Sequence, residues 1–461
     1  MFEANVYRRR RRCLQNKIKS GLVVFLGNEE VPMNYAANTY HFRQDSSFLY
    51  FFGLDSPGLA AVLDVNEGQT TLFGDDIGLE DIIWMGALPK LKERAKWAGV
   101  SRTETTAKLE AVINRARARG RVVHFLPPYR LESKAKLSRL MGIAPQNLKA
   151  KASPDLIRAV VGQRLVKSAP EVREIEKALT VTRQMYLTAM KTVEPGVLEQ
   201  EVVGLMDGLA LAGGAGTAFP TILTVNGQIL HNHDHSHIMK KGRLLVVDSG
   251  AESNRHYASD ITRTLPVSGK FTTKQREIYE IVLAAQEAAI AAMKPGLSFR
   301  DVHLKAARIM AAGLKDVGLM KGDTEEAVAA GAHALFFPHG LGHSLGLDVH
   351  DMEDLGENFV GYGEKAKRSE QFGLAYLRFA RELRPGQLMT VEPGIYFIPA
   401  LAAKWKKEKK HTAFINYLKV QTYLDFGGIR IEDNVLITAA GRRVLGEPIP
   451  KKVKDIERIM A

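Results

Sequence analysis

The sequence predicts a mixed α/β (α+β) fold in two domains, and three observations support this. Short apolar runs bounded by turn residues alternate with longer amphipathic stretches along the whole chain. Near residue 165 this pattern is interrupted, and the letters SAPE at 168–171 form a capping box that starts a long helix. Two later segments repeat one pattern 100 residues apart. We therefore predict domains at 1–165 and 166–461, the second built from two similar halves.

The first domain reads as an α/β unit. Strands are expected at 22–26, 60–63, 70–73 and 121–126, and helices at 91–99 and 109–120. No cluster of metal-ligand residues occurs in this domain. We expect this domain to take part in oligomerisation and to form part of the wall of a site whose ligands lie elsewhere in the chain.

The repeat in the second domain begins with Pro-Gly at 195–196 and again at 295–296, each opening a helix rich in Ala, Leu and Met. Chance similarity between two helix starts is the alternative. Two facing α/β halves would leave a crevice, where catalytic sites commonly lie.

Composition limits the functional classes. The chain has 461 residues, a formal net charge of +13 and a single cysteine, Cys13. One cysteine suits a reducing compartment, no apolar run is long enough for a membrane helix, and the first residues lack a secretory pattern, so a cytoplasmic protein is expected. The basic runs at 8–12 and 404–410 belong to no nucleic-acid module and are interpreted as solvated faces. Neither nucleic acid nor membrane is predicted as a partner.

Residues 337–351 contain three histidines, at 339, 343 and 350, separated by glycines. Glycines at 340, 342 and 346 disfavour a helix, since each costs about 1 kcal/mol there relative to alanine. We expect a tight irregular segment that builds a site. A loop of buried, satisfied histidines is the alternative.

Four acids occur in strand-like settings. Asp248 ends one apolar strand and Asp260 begins another, so a hairpin would bring them together. Glu392 follows a third strand, and Glu432 lies inside a buried-type strand at 428–437. A buried acid is costly unless a cation meets it. Ion pairing with Arg430 explains any single acid but not all of them.

A metal site explains the set. Two aspartates, one histidine and two glutamates carry four negative charges, which two divalent ions would neutralise. Oxygen-rich ligation with one imidazole suits Mn²⁺, Co²⁺ or Fe²⁺ at least as well as Zn²⁺. The predicted cofactors are therefore two divalent metal ions, with Mn²⁺ preferred.

Several local sequences resemble the pita-bread metallopeptidases, the family of creatinase, aminopeptidase P and prolidase. They are HGLGH at 339–343, LGLDVHD at 345–351, VEPG at 391–394, GIRIE at 428–432, and FRQDS at 42–46 with YFFG at 50–53. The resemblance implies an N-terminal creatinase-like domain, a C-terminal pita-bread domain with pseudo-twofold αβ halves, and five metal ligands: Asp248, Asp260, His343, Glu392 and Glu432. The spacing of 12 residues between the two aspartates is one more than the family pattern.

The resemblance also implies roles for further residues. Catalysis would use a hydroxide bridging the two metal ions, with His231 and His350 near the oxyanion and Glu392 moving a proton to the leaving nitrogen. His339 and Arg430 are expected to contact substrate. The histidines at 233, 235 and 237 form either a polar loop or a secondary metal tract.

The assignment to the prolidase branch of the family rests on Arg378, which matches the prolidase arginine that holds the carboxylate of a dipeptide. A solvated helix face is the alternative for this arginine. The predicted activity is Xaa-Pro dipeptidase, with Xaa-Pro dipeptides or short proline-containing peptides as substrates. The alternatives are aminopeptidase P, which acts on longer peptides, and a metal-free pita-bread binding module. A homodimer or homotetramer is expected.

Overall fold

The computed structural model describes all 461 residues, which form two compact units. The first comprises Met1–Arg164 and Met352–Phe359, and the second comprises Leu165–Asp351 and Val360–Ala461. None of the helices combines the length and apolar character that crossing a bilayer requires.

The first unit is built on a five-stranded sheet in the order β6-β5-β4-β1-β7, with β1 antiparallel to β4 and parallel to β7. Its strands are β1 (Leu22–Leu26), β2 (Pro32–Tyr35), β3 (Asn38–Thr39), β4 (Ala60–Asp64), β5 (Gln69–Phe73), β6 (Arg102–Glu104) and β7 (Val123–Phe125). Its helices are α1 (Ala4–Gln15), α2 (Ser46–Phe52), α3 (Leu79–Met85), α4 (Leu91–Trp97), α5 (Lys108–Ala118), α6 (Leu131–Met141), α7 (Leu148–Lys151) and α8 (Pro154–Arg164). The strands and helices predicted for this region are confirmed.

One prediction for the first unit is partly wrong. The basic run in α1 is not only a solvated face, because Arg10 and Arg11 are 6% and 3% exposed. Arg10 donates to the carbonyl of Tyr50 (2.8 Å), and Arg11 to those of Phe51 (2.7 Å) and Ala98 (2.8 Å). These carbonyls lie at the C-terminal ends of α2 and α4, where a cation satisfies groups that the helix leaves unpaired. By contrast, the lysines of the 404–410 run lie mostly in solvent, as expected.

The second unit contains a three-stranded antiparallel sheet β12-β10-β9 and a second one β13-β16-β17. Its strands are β8 (Gly216–Thr217), β9 (Ile222–Thr224), β10 (Leu244–Ser249), β11 (Ala251–Glu252), β12 (Ile261–Pro266), β13 (Leu388–Val391), β14 (Gly394–Tyr396), β15 (Gly428–Arg430), β16 (Asp433–Thr438) and β17 (Gly441–Val444). Its helices are α9 (Ala169–Thr192), α10 (Glu199–Gly213), α11 (Thr273–Ala292), α12 (Phe299–Asp316), α13 (Thr324–Ala330), α14 (Pro399–Lys407), α15 (Tyr417–Gln421) and α16 (Val453–Met460).

The start of the second unit follows the predicted helix signal. The carboxylate of Glu171 accepts hydrogen bonds from the backbone N–H (2.9 Å) and the hydroxyl (2.6 Å) of Ser168. The long helix α9 then packs against α10, as α11 packs against α12. Two helix pairs therefore cover the strands of the two halves.

The strand predicted at 428–437 is interrupted, which corrects the expectation of one continuous element. β15 ends at Arg430 and pairs with β14, whereas β16 begins at Asp433 and pairs with β13. The partner strands are interrupted at the same level, between Val391 and Gly394. Pro393 lies in that interruption and has no N–H to donate to a ladder. The two glutamates Glu392 and Glu432 lie at these facing breaks.

Candidate metal centre

Asp248 and Asp260 come from the predicted hairpin. β10 and β12 are antiparallel, with Asp248 opposite Thr262, and Asp260 lies two residues before Thr262. Because side chains alternate across a strand, the two aspartates lie on one face as diagonal neighbours. Asn434 holds the main chain at Asp260, donating to its carbonyl (2.5 Å) and accepting from its N–H (3.1 Å).

His343 lies on the irregular segment that the glycine pattern predicted, and in the structure this segment runs against β13. Gly342 permits this approach, because a Cβ there would lie 2.1 Å from the carbonyl oxygen of Thr390. The Nδ1 atom of His343 lies 3.1 Å from the carbonyl oxygen of Ser344 and donates to it. The Nε2 atom therefore presents its lone pair to Asp260 (3.4 Å) and Glu392 (3.5 Å).

The two glutamates are fixed by neighbouring threonines. Thr262 donates its hydroxyl to Oε2 of Glu432 (2.7 Å), while the N–H of Glu432 donates to the Thr262 carbonyl (3.0 Å). Thr390 donates to Oε1 of Glu392 (3.2 Å), and the backbone N–H of Glu392 donates to the carbonyl of Leu341 (2.8 Å). The histidine segment and β12 thus set the positions of both carboxylates.

The geometry of the site suits bound cations. Ligand atoms of Asp260, His343 and Glu432 all lie within 4.8 Å of one another, and these three residues are buried. One oxygen atom each of Asp248, Asp260 and Glu432 is buried with no hydrogen-bond partner. Buried carboxylate oxygens without partners are costly unless a cation binds them. The donor set therefore fits divalent metal ions.

Electrostatics agree with this assignment. Burial and the neighbouring Asp248 raise the pKa of Asp260 well above its usual range, and burial and Asp260 do the same to the pKa of Glu432. Burial raises the pKa of Glu392 to about 7. Without metal the site therefore retains protons at neutral pH, and cations that displace those protons relieve the repulsion.

Arg430 pairs with only one of the acids, and it does so as part of a network. Its Nη2 atom donates to Oδ2 of Asp248 (2.6 Å), its Nη1 atom to the hydroxyl of Tyr396 (2.9 Å), and its Nε atom to Thr262 (3.1 Å). Tyr396 in turn donates to Nε2 of His339 (2.9 Å), whose Nδ1 donates to Gly340. Burial, with a smaller effect of Arg430, lowers the pKa of His339 to about 3, so this imidazole is neutral at pH 7. The ion pair with Arg430 explains Asp248 alone.

All ten predicted site residues line one cavity of about 570 Å³, a volume suited to a small peptide. His350 lies beside His343, with ring centroids 4.2 Å apart, and His231 lies at an exposed edge. Arg378 also lines the cavity and follows a short helical turn at Leu374–Tyr376. The alternative interpretation, that this arginine lies on a solvated helix face, is therefore wrong. The apolar part of the wall comes from these residues: Phe219, Leu230, Val349, Phe372, Ile398 and Leu401.

The sequence did not single out several supporting residues. Thr262, Thr390, Tyr396 and Asn434 contact the acids or Arg430. Their positions follow from strand register, which single residues do not reveal. In the predicted histidine tract, His233 lines the cavity and the rest is a polar loop: Nδ1 of His235 lies 3.0 Å from the carbonyl of Leu223, and that of His237 lies 3.3 Å from Glu199.

Residues 173–439 match metallopeptidase family M24, and residues 7–124 match the aminopeptidase P N-terminal domain. The chain therefore belongs to metallopeptidase family M24, and its second unit has the predicted pita-bread fold.

Relatives with two named activities cover nearly the whole chain. It is 31% identical to the Xaa-Pro dipeptidase of Homo sapiens, over 100% of this chain and 93% of that protein. It is 33% identical to the Xaa-Pro aminopeptidase of Escherichia coli, over 98% and 97%. Zinc-substituted Escherichia coli aminopeptidase P in complex with product superposes with a TM-score of 0.81 at 29% identity, covering 100% of this chain and 98% of that one.

Proposed function

We propose that this protein is a dinuclear metal-dependent peptidase that hydrolyses Xaa-Pro bonds, and that it acts on dipeptides. The observation that carries the proposal is a set of buried acids around one imidazole, three of them with a partnerless oxygen, on the wall of a cavity of peptide size. The named activities of the relatives support the same bond specificity.

The metal ions would be held by these five residues: Asp248, Asp260, His343, Glu392 and Glu432. Oxygen atoms dominate this set, which favours hard divalent ions, and we propose Mn²⁺ before Co²⁺, Fe²⁺ or Zn²⁺. When bound, such ions act as Lewis acids and lower the pKa of a water molecule toward about 7.

The protein's own groups would handle the proton and the substrate. Glu392 lines the cavity with its side chain 18% exposed, so its carboxyl can pass a proton to the departing proline nitrogen. His350 and His231 line the same cavity, where an imidazole N–H can donate to a developing oxyanion. A proline nitrogen in a peptide bond has no N–H, so recognition must use ring shape and the substrate termini.

Arg378 supports the dipeptidase branch. It lies on the cavity wall, close enough to His231 and His343 to lower the pKa of both, although burial is the larger cause. A guanidinium can grip a carboxylate with two parallel hydrogen bonds. In an Xaa-Pro dipeptide that carboxylate belongs to the proline itself, whereas a longer peptide has an amide there.

The test compares Gly-Pro and Ala-Pro with an Xaa-Pro-Pro tripeptide in the presence of Mn²⁺. We expect the dipeptides to be preferred, and Arg378→Ala to lower kcat/KM for dipeptides by about 10- to 100-fold, the value of a hydrogen-bonded charge pair. Arg384→Ala, an exposed arginine outside the cavity lining, is the matched control. A wild-type preference for the tripeptide, with Arg378→Ala harming both substrates equally, would instead identify an aminopeptidase P activity.

A metal-free binding module would leave the clustered acids without a cation, and nothing in the site favours it. We propose that the enzyme works in the cytoplasm as a homodimer or homotetramer, with the single exposed cysteine, Cys13, as the support for a reducing compartment.

A further inference from the structure

Behind Glu432 lies a buried polar network that the proposed reaction does not use. Its centre is Arg263, which neighbours Thr262 on β12 and is 0% exposed. Successive side chains of a strand point to opposite faces, so Arg263 points away from the cavity that Thr262 and Glu432 face. A buried arginine at this position requires partners for every N–H.

Every N–H of the Arg263 guanidinium has a hydrogen-bond partner, and two of these bonds hold the backbone of the metal site. Nη1 donates to the carbonyl of Glu432 (2.6 Å) and to that of Thr262 (2.8 Å). Nη2 donates to Oδ1 of Asp433 (2.7 Å) and to the carbonyl of Ile449 (2.9 Å), and Nε donates to that of Pro450 (3.0 Å). All five donors of Arg263 are therefore used at once.

Asp433 extends the network to a second cationic residue, Lys451. Its Oδ2 atom accepts from Nζ of Lys451 (2.7 Å) and from Nε2 of Gln286 (2.9 Å), and Lys451 also donates to Oε1 of Gln286 (2.7 Å). The main chain around Lys451 is fixed separately, since the Tyr279 hydroxyl donates to its carbonyl (2.7 Å). Two cations and one acid thus connect residues 449–451 to the backbone at Glu432.

We propose that Arg263, Asp433 and Lys451 are positioning residues that set the metal affinity of the site by fixing Glu432 from behind. The proposal rests on the proposed metal centre. Residues that orient a ligand without touching the metal typically contribute 10- to 100-fold to affinity or activity. Glu432 lies at the break between β15 and β16, where its main chain is held by the bond from its N–H to the Thr262 carbonyl and by the bond from Arg263 to its own carbonyl.

The test measures Mn²⁺ binding to metal-free protein by isothermal titration calorimetry. We expect Lys451→Met to weaken binding about 10-fold, and Arg263→Lys to weaken it by about 10- to 100-fold, because an ammonium cannot make five directed bonds. Lys454→Met, an exposed lysine three residues along, is the matched control and should bind as the wild type does. Lys451 suits the test because its side chain is 21% exposed and Asp433 retains Arg263 without it, so this variant should fold even if Arg263→Lys does not.

A second readout needs no metal. The N–H of Glu432 donates to the carbonyl of Thr262, so its hydrogen exchange in metal-free protein reports whether this residue is held. We expect faster exchange at Glu432 in Lys451→Met and unchanged exchange in β10. Equal Mn²⁺ affinity in all variants, or equal weakening by Lys454→Met, would overturn the proposal. If the wild type bound no divalent ion, the proposed function would fail, and the exchange experiment would still decide whether Lys451 positions Glu432.

Discussion

The two halves of the second unit share one backbone plan. In the first half, the N–H of Gly196 donates to the carbonyl of Met239 (2.9 Å), and Leu198 bridges to Ile238. In the second half, the N–H of Gly296 donates to the carbonyl of Leu383 (2.9 Å), and the bridge 298–382 repeats the one at 198–238. In each half the chain then continues into a helix, and the sheet of that half carries acids.

The halves differ in how they present those acids. The first half places two aspartates on neighbouring positions of one hairpin, whereas the second places two glutamates at facing strand breaks. Each half also supports the acids of the other: Arg430 pairs with Asp248, and Thr262 donates to Glu432. The acids of each half are therefore partly held by side chains of the other half.

The largest effect is expected from removing one ligand charge in each half. Asp260→Asn and Glu432→Gln keep the side-chain shape, and each should weaken Mn²⁺ binding by more than about 100-fold, beyond what supporting residues contribute, and abolish Xaa-Pro hydrolysis. Calorimetric titration and a peptide assay measure both.

The unfolding temperature of the metal-free variants should not fall, because burial raises the pKa of both carboxyls so far that they are already protonated at neutral pH, and each change replaces one neutral group with another of the same shape. Should one variant bind metal as the wild type does while the other does not, the halves would not contribute equally.

The next effect concerns pH. Because burial raises the pKa of Glu392 to about 7, a proton competes with metal there, and Mn²⁺ affinity should fall as pH decreases below about 7. Glu392→Gln should remove about one proton from the slope of log Kd against pH, measured from pH 5.5 to 8, and lower kcat by about 10²- to 10⁴-fold. A slope identical to that of the wild type would show that Glu392 does not exchange a proton for metal.

The smallest effect tests the shared plan itself. Gly196 and Gly296 have φ of 100° and 84°, and no atom lies within 4 Å of a Cβ built on either residue. Gly196→Ala and Gly296→Ala should each lower the free energy of unfolding by about 1 kcal/mol through backbone strain alone, with Mn²⁺ affinity unchanged. Denaturant unfolding measures the loss. A clearly larger loss at one position would mean that the two turns are not equivalent.

Much of this architecture could be predicted from local sequence. Four of the seven strands of the first unit and the irregular histidine segment follow from apolar runs, turn residues and glycine spacing, which act over a few neighbouring residues. The pairing of Asp248 with Asp260 also followed, because a hairpin is a local structure. The repeat at 195 and 295 indicated the two halves before any contact was known.

What could not be predicted depends on contacts between distant residues. The strand break before Asp433 is set by a change of partner strand, and the letters GIRIEDNVLI give no sign of it. The burial of Arg10 and Arg11 required knowing that the ends of two other helices lie beside α1. The network of Arg263 joins residues up to 187 positions apart in the chain.

The pairing of β14 with β15 separates the part of the chain that positions the acids from a part that forms the cavity wall. Tyr396 faces Gly428 across this short ladder, so the chain between them leaves the sheet and returns to the same place. That excursion carries Ile398 and Leu401, which form part of the cavity wall, but none of the metal-site acids. Its length and composition can therefore change, and with them the range of peptides admitted, while the spacing of the two glutamates stays fixed by the ladder at its base.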